Sequence, residues 1–310
     1  MEQSTRKKLL FIYNPHAGKA SIKRKLADII DVFVKEEYEV TVYPTQGPNQ
    51  ATELACTQSD SYDVLVCSGG DGTLDEVVTG MMQAEHKIPI GYIPAGSTND
   101  FARSLHIPRD MMSAARMIVT GTTFPCDIGA FNADTFVYIA AFGIFTDVSY
   151  ETTQEMKSVL GYAAYVLEGM KRLSSIDAYR LKVTTPTEKI EDEFIFGMVT
   201  NSHSVGGFKK ITGKSVALDD GLFELILVKY PANPVELNGT LAAILTGSID
   251  PDYMYCVKIE EVLIESEEYV AWTLDGEYGG DHKKVHIRNC KQALEMIVPQ
   301  RTLRKDRNHK

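Results

Sequence analysis

A strand, a glycine turn and a helix start follow one another directly at residues 63–78, and that succession restricts the chain more than any other feature. Asp63-Val64-Leu65-Val66-Cys67 is apolar and β-prone, Gly69-Gly70-Asp71-Gly72-Thr73 is a turn, and Leu74-Asp75-Glu76-Val77-Val78 opens a helix. Glycine has no Cβ, so the backbone bends freely there and can press close to a ligand. The first N–H groups of the next helix lack intrahelical partners, and the helix dipole favours negative charge beside them. Asp71 is out of place in such an anion site unless a cation stands between it and the anion. The reading is a nucleotide phosphate site with Mg²⁺ beside Asp71. The competing reading is an ordinary tight βα turn, but three glycines around one Asp exceed what turning needs.

The first 125 residues alternate between strand and helix patterns. Strands are expected at Lys8–Tyr13, Glu39–Tyr43, Asp63–Cys67 and Ile88–Ile93. Helices are expected at Ile22–Glu37, Asn49–Cys56, from the glycine turn through Met82, and at Thr98–Leu105 and Asp110–Val119. Such alternation predicts a doubly wound parallel α/β domain, with ligands beyond the carboxyl ends of its strands.

After Phe124 the pattern becomes β-rich. Strands are expected at Thr135–Phe142, Tyr179–Thr184, Glu193–Thr200, Gly221–Lys229, Val257–Ile264, Tyr269–Leu274, Lys284–Ile287 and Ala293–Val298. They predict an antiparallel β-sandwich, interrupted by one inserted helix at Ser158–Leu173. The wide apolar stripe of that helix reads either as core packing or as a membrane-touching face. The expected division is 1–126, a nucleotide-binding α/β domain; 127–290, a β-rich domain; and 291–310, a strand and basic tail returning to the first domain.

Composition removes several function classes. The five cysteines form no CxxC pair and the seven histidines no HExxH, which argues against a zinc site. A net charge of −10 argues against nucleic acid as a partner. The charge is uneven: residues 1–25 hold seven basic and one acidic side chain, and residues 301–310 five and one. Basic ends on an acidic body suit phosphate groups or an anionic membrane surface, although solvated termini explain them too. No apolar run reaches the roughly 20 residues of a spanning helix, and no signal-peptide core is set apart. The expected location is cytoplasmic with peripheral membrane association. A homodimer is left open.

Three more glycine-containing segments follow predicted strands. They are Asn14-Pro15-His16-Ala17-Gly18-Lys19, Thr45-Gln46-Gly47 and Pro94-Ala95-Gly96-Ser97-Thr98-Asn99-Asp100. A parallel sheet gathers them at one edge beside the glycine turn. The chain has no G-x-x-x-x-G-K-[ST], so it is not a P-loop enzyme.

The set NPHAGK, SGGDGTLDEVV, IPAGSTNDFARSL, ALDDGLFEL and LDGE resembles the soluble bacterial diacylglycerol kinase-like lipid kinases, in order from Asn14 to Glu277. Sphingosine kinases are relatives, and NAD kinases share the GGDGT element. The resemblance implies ATP binding by Asn14, Pro15, His16, Ala17, Gly18, Thr45, Gly69, Gly70, Asp71, Gly72, Thr73, Leu74, Asp75 and Ser97. It implies a Mg²⁺ held largely through water by Asp71, Asp100 and Asp127. A second, structural Mg²⁺ would sit on the carbonyls of Ala217 and Leu222 and the side chain of Asp220. Glu277 matches the family's proton acceptor, and partial burial is expected to match its pKa to that task.

The implied function is ATP-dependent phosphorylation of a lipid hydroxyl, diacylglycerol first, in phospholipid metabolism. Lys19 or the Lys23-Arg24-Lys25 cluster could add positive charge at the phosphates, with solvated helix charge the other reading of the cluster. Two rivals stand beside the lipid kinase: an NAD kinase acting on a soluble acceptor, and a non-enzymatic nucleotide or lipid sensor.

Overall fold

A computed structural model describes residues 6–18, 20–96, 99–144, 177–202, 217–246 and 249–300. Ser97, Lys19 and the expected helix Ser158–Leu173 lie outside the described residues. The chain divides into two compact units. One holds the residues up to Ile128 together with those from Lys291; the other is Gly129–Cys290.

The first unit begins β1 (Lys8–Tyr13), α1 (Ile22–Lys35), β2 (Glu39–Pro44), α2 (Gln50–Gln58), β3 (Val64–Gly69), α3 (Asp71–Gln83) and β4 (Ile90–Pro94). It continues with α4 (Asp100–Ser104), α5 (Met111–Thr120) and the start of β5 (Thr122–Phe131). Strands run parallel in the order β2-β1-β3-β4. Leu9, Leu10, Phe11 and Ile12 of β1 are all fully buried, as a strand covered on both faces requires. The edge strand β2 has no buried residue. Helices pair as α1 with α5 and α2 with α3. Lys25 of α1 holds Asp110, the N-cap of α5, at 3.0 Å. That bond and the Ser113 donors hold the Asp110 carboxyl down at about 2. The charge of Lys25 is thereby committed to packing.

The second unit is antiparallel throughout. Its strands are the end of β5, β6 (Asp134–Phe136), β7 (Ile139–Gly143), β8 (Tyr179–Thr184), β9 (Lys189–Thr200), β10 (Phe223–Lys229), β11 (Met254–Ile259), β12 (Glu261–Leu274) and most of β13 (Glu277–Val298). The order is β11-β10-β9-β7-β12-β13, with β8 also bridging β9 and β12. β10 shows why its sequence is apolar at nearly every position. Phe223, Leu225 and Leu227 enter an aromatic-rich core around Trp272, whose ring lies 4.9 Å from that of Phe142. Ile226 and Val228 alternate into a second cluster on the other face.

That second cluster is capped by a helix the periodicity did not predict, α6 (Pro234–Thr246), which contributes Leu237 and Ala243. Its start was legible in the sequence. Asn233 caps it, accepting from Val235 N and Glu236 N at 3.0 Å each, with Pro234 in the first helical position. Glu236 reaches back to Ala232 N at 2.8 Å, a variant of the capping box. Asn238 and Gly239 are poor helix formers, which hid the rest.

Four of the expected strands are corrected. Val257–Ile264 is two strands, since the chain changes partner at Glu260 with no Gly or Pro to mark it. Thr135–Phe142 is likewise two, β6 and β7. Lys284–Ile287 and Ala293–Val298 belong to the single strand β13, which kinks without ending at Gln292, where φ is 50°. Its last part pairs parallel to β4 in the first unit, Met296 opposite Ile90.

Candidate active site

The carboxyl ends of β1, β3 and β4 carry three segments that touch one another. Asn14 N donates to Ser68 O at 2.8 Å, Ala95 N donates to Gly69 O at 2.8 Å, and the Asn14 amide lies 3.4 Å from Thr73 Oγ1. Asn14 Oδ1 accepts His16 N at 2.9 Å and shapes the 14–18 loop as an Asx turn. Gly18 has φ 56°, and a Cβ there would stand 2.2 Å from Ala95 O, so only glycine fits. At Gly96 a Cβ would lie 2.7 Å from Gly70 Cα. Thr45 joins through its N–H on Tyr13 O at 2.9 Å. The structure thus gathers Asn14, Pro15, His16, Ala17, Gly18, Thr45 and the Gly69–Asp75 turn at one edge.

Asp71 opens α3, with Gly70 as its N-cap. Its Oδ2 accepts Asn99 N at 2.9 Å, while Oδ1 is buried with no hydrogen-bond partner among the described residues. Burial pushes the Asp71 carboxyl up to about 6, against the Asn99 donor, and neighbouring Asp100 adds to the rise. Asp100 is itself 3% exposed, with Arg103 Nη1 3.3 Å from its Oδ1. Burial raises its pKa, opposed by Arg103 and Arg109. Buried Asp100, half-buried Asp71 and an orphaned carboxylate oxygen beside a helix N-terminus fit a hydrated divalent cation between carboxylate and phosphate. Among the described residues no three His, Cys, Asp or Glu side chains group to hold a metal directly. A water-mediated site needs no such group.

Asp127 is fully buried on β5, and its Oδ1 accepts Gln292 N at 2.7 Å. It therefore serves the kink of β13, a role that sequence reading did not assign. Asn99 was also missed. Its φ is 50°; its Oδ1 accepts from Gly96 N and the Tyr92 hydroxyl, each at 3.1 Å, and its Nδ2 donates to Gly96 O at 2.7 Å. One side chain thus holds Gly96 and Tyr92 while the Asn99 backbone N–H holds Asp71. Its only sequence signal was the polar run around it.

In the second unit, Asp220 forms a tight turn in which its Oδ1 accepts Leu222 N at 3.0 Å. Lys258 Nζ lies 3.4 Å from Asp220 Oδ2 and 3.6 Å from Glu224 Oε1. Glu224 is 3% exposed, and burial pushes its carboxyl up to about 7 against the pull of Lys258. Both Asp220 oxygens therefore have partners, and a metal on Ala217, Asp220 and Leu222 would have to share the carboxylate with Lys258. Glu277 opens β13 directly after a two-residue turn. It is exposed, so the expected partial burial is not met.

Residues 8–131 match the diacylglycerol kinase catalytic domain, and residues 140–298 match the YegS C-terminal NAD kinase beta sandwich-like domain. A diacylglycerol kinase of Staphylococcus saprophyticus is 36% identical over 297 residues, covering 95% of this chain and 96% of its own. A diacylglycerol kinase of Bacillus subtilis is 35% identical over 302 residues, covering 94% and 99%. The crystal structure of a diacylglycerol kinase from Bacillus anthracis strain Sterne shares the fold, with a TM-score of 0.74 at 23% identity over 96% and 98% of the two chains. A further solved structure from that organism aligns with a TM-score of 0.80 at 25% identity. Matches of this extent define a kinase. The chain belongs to the diacylglycerol kinase catalytic domain family.

Proposed function

We propose that this chain transfers the γ-phosphate of ATP to the hydroxyl of a lipid, diacylglycerol first among the acceptors, to give phosphatidic acid. The observation that carries the reading is the buried, unpartnered Asp71 Oδ1 among glycine loops at a helix N-terminus. The names of the curated relatives support the acceptor. The separate α1–α5 and α2–α3 helix pairs support a doubly wound first unit that binds nucleotide. The β-rich unit is read as the lipid-substrate domain.

Asn14–Gly18, Thr45, Gly69–Asp75 and Ser97 hold ATP through backbone N–H groups and hydroxyls. Asp71, Asp100 and Asp127 would hold Mg²⁺ through water, and the ion would supply charge neutralisation for the phosphates. Asp220 with the carbonyls of Ala217 and Leu222 would hold the structural Mg²⁺. The acceptor oxygen bonds to the γ-phosphorus, the bond from that phosphorus to the β–γ bridging oxygen breaks, and the hydroxyl proton passes to Glu277. ADP leaves. Exposed in this structure, Glu277 would gain its working environment when substrate covers it.

Among the described residues no helix is long and apolar enough to cross a membrane. In this reading lipid reaches the site by peripheral contact at a membrane surface in the cytoplasm. The test is labelled ATP with Mg²⁺ and a panel of lipids in mixed micelles, with NAD as a soluble acceptor in parallel. Label on diacylglycerol supports the reading. Label on NAD alone assigns the chain to soluble-acceptor phosphorylation, and label on nothing makes it a binding protein.

A further inference from the structure

β12 ends at Leu274 and β13 begins at Glu277, paired across a turn of two residues. Asp275 and Gly276 both have positive φ, 51° and 90°, as a type I′ hairpin turn requires. An Asp-Gly pair makes that turn without help, and its side chains ordinarily face water. Asp275 is instead 7% exposed. Its carboxylate accepts three successive backbone N–H groups from the β6–β7 connection and the first residue of β7: Val137 on Oδ2 at 2.5 Å, and Tyr138 and Ile139 on Oδ1 at 2.9 and 3.0 Å. Asp275 N donates to Ile139 O at 2.8 Å, and the Tyr138 hydroxyl donates to Asp275 O at 3.3 Å. Three donors at one side chain call for a group that only accepts, and an ionised carboxylate is that group. Asn would turn an NH₂ toward at least one of them.

We propose that Asp275 is a positioning residue for phosphoryl transfer: its grip on residues 137–139 fixes the hairpin tip, so that Glu277, two residues on, keeps one place relative to the acceptor hydroxyl. The proposal rests on the reading of Glu277 as proton acceptor. The hydrogen bonds exceed what the turn needs, and they restrain the backbone immediately before the residue whose position the chemistry depends on. Misplacement of a reacting group by a fraction of a residue's width is costly to rate without being costly to nucleotide affinity.

The experiment is a double-mutant cycle on the full chain with Asp275→Asn, Glu277→Gln and the pair together. Initial rates are measured with labelled ATP and diacylglycerol in mixed micelles, and a melting curve is recorded for each variant. Asp275→Asn is expected to lower kcat roughly 10- to 100-fold with KM for ATP unchanged. In the Glu277→Gln background the same change is expected to cost nothing further, because the two act through one step. A folded Asp275→Asn enzyme with normal kcat, or one impaired only in KM for ATP, overturns the proposal. So does an equal loss in both backgrounds, which would be the mark of a merely structural role. Normal turnover by Glu277→Gln overturns the proton-acceptor reading and the proposal with it. Should Asp275→Asn not fold, Tyr138→Phe removes one hydrogen bond to the turn and leaves the three on the carboxylate. It is then expected to lower kcat by a smaller factor, again only when Glu277 is present, and normal kcat in that variant overturns the proposal.

Discussion

Asp71 holds one oxygen on the Asn99 N–H and the other buried without a hydrogen-bond partner among the described residues, and burial pushes its carboxyl up from 3.8 to about 6. A carboxyl raised on folding binds its proton more tightly in the folded state. Its contribution therefore favours folding fully below pH 3.8 and is lost as pH rises through about 6. Without nucleotide or metal, Asp71→Asn should raise Tm relative to the parent at pH 8 and not at pH 3.5, close to the ordinary carboxyl value. Equal differences at the two pH values would contradict the burial of this charge. Activity should respond in the opposite sense, since Asp71→Ala is expected to abolish transfer while the protein stays folded. Near-normal turnover at saturating Mg²⁺ would remove Asp71 from the site. Glu277→Gln should leave Tm and ATP binding intact and cut kcat by roughly 10²–10⁴-fold, the range for a lost general base. Asp100 and Asp71 were legible as types in a motif; their burial was not, because it depends on loops brought together from three strand ends.

At the scale of the element, α6 and the β12–β13 hairpin make separable predictions. Leu237 is 7% exposed in the cluster that α6 shares with β9 and β10. Leu237→Ala should destabilise the protein by about 2–4 kcal/mol, read as a shift in chemical denaturation. A change below that range would mean that α6 contributes little to the second unit. At the hairpin, a Cβ on Gly276 meets nothing within 4 Å, yet φ is 90°. Gly276→Ala should therefore destabilise through backbone strain alone, by on the order of 1 kcal/mol. Mg²⁺ should raise Tm if the Asp220 turn holds a metal, and Asp220→Asn should remove that rise. If Lys258 alone neutralises Asp220, the Mg²⁺ response of the variant will match the parent. The strands β1, β3 and β4 were readable because parallel strands buried on both faces are short continuous apolar runs. α6 was readable only from its cap.

For the whole molecule, net charge is −10 while the first 25 residues carry seven basic side chains against one acidic. Transfer should accordingly depend on a dispersed lipid interface, rise with anionic lipid and weaken as salt screens the contact. Rates indifferent to both would place lipid capture elsewhere. The amino-acid sequence by itself determined the alternation of strand and helix, the phosphate-type turn at Gly69–Thr73 and the family motifs, because each is written in residues within a turn or two of one another. Tertiary structure alone decided the rest. It put Asn99 between Asp71 and the 95–96 loop, set Asp127 on Gln292, made one strand of residues 277–298 and closed Asp275 on residues 137–139. Those contacts join positions up to 165 residues apart. Periodicity and propensity act over a few residues, so a hydrogen bond of that span leaves no trace in the sequence until the chain has folded.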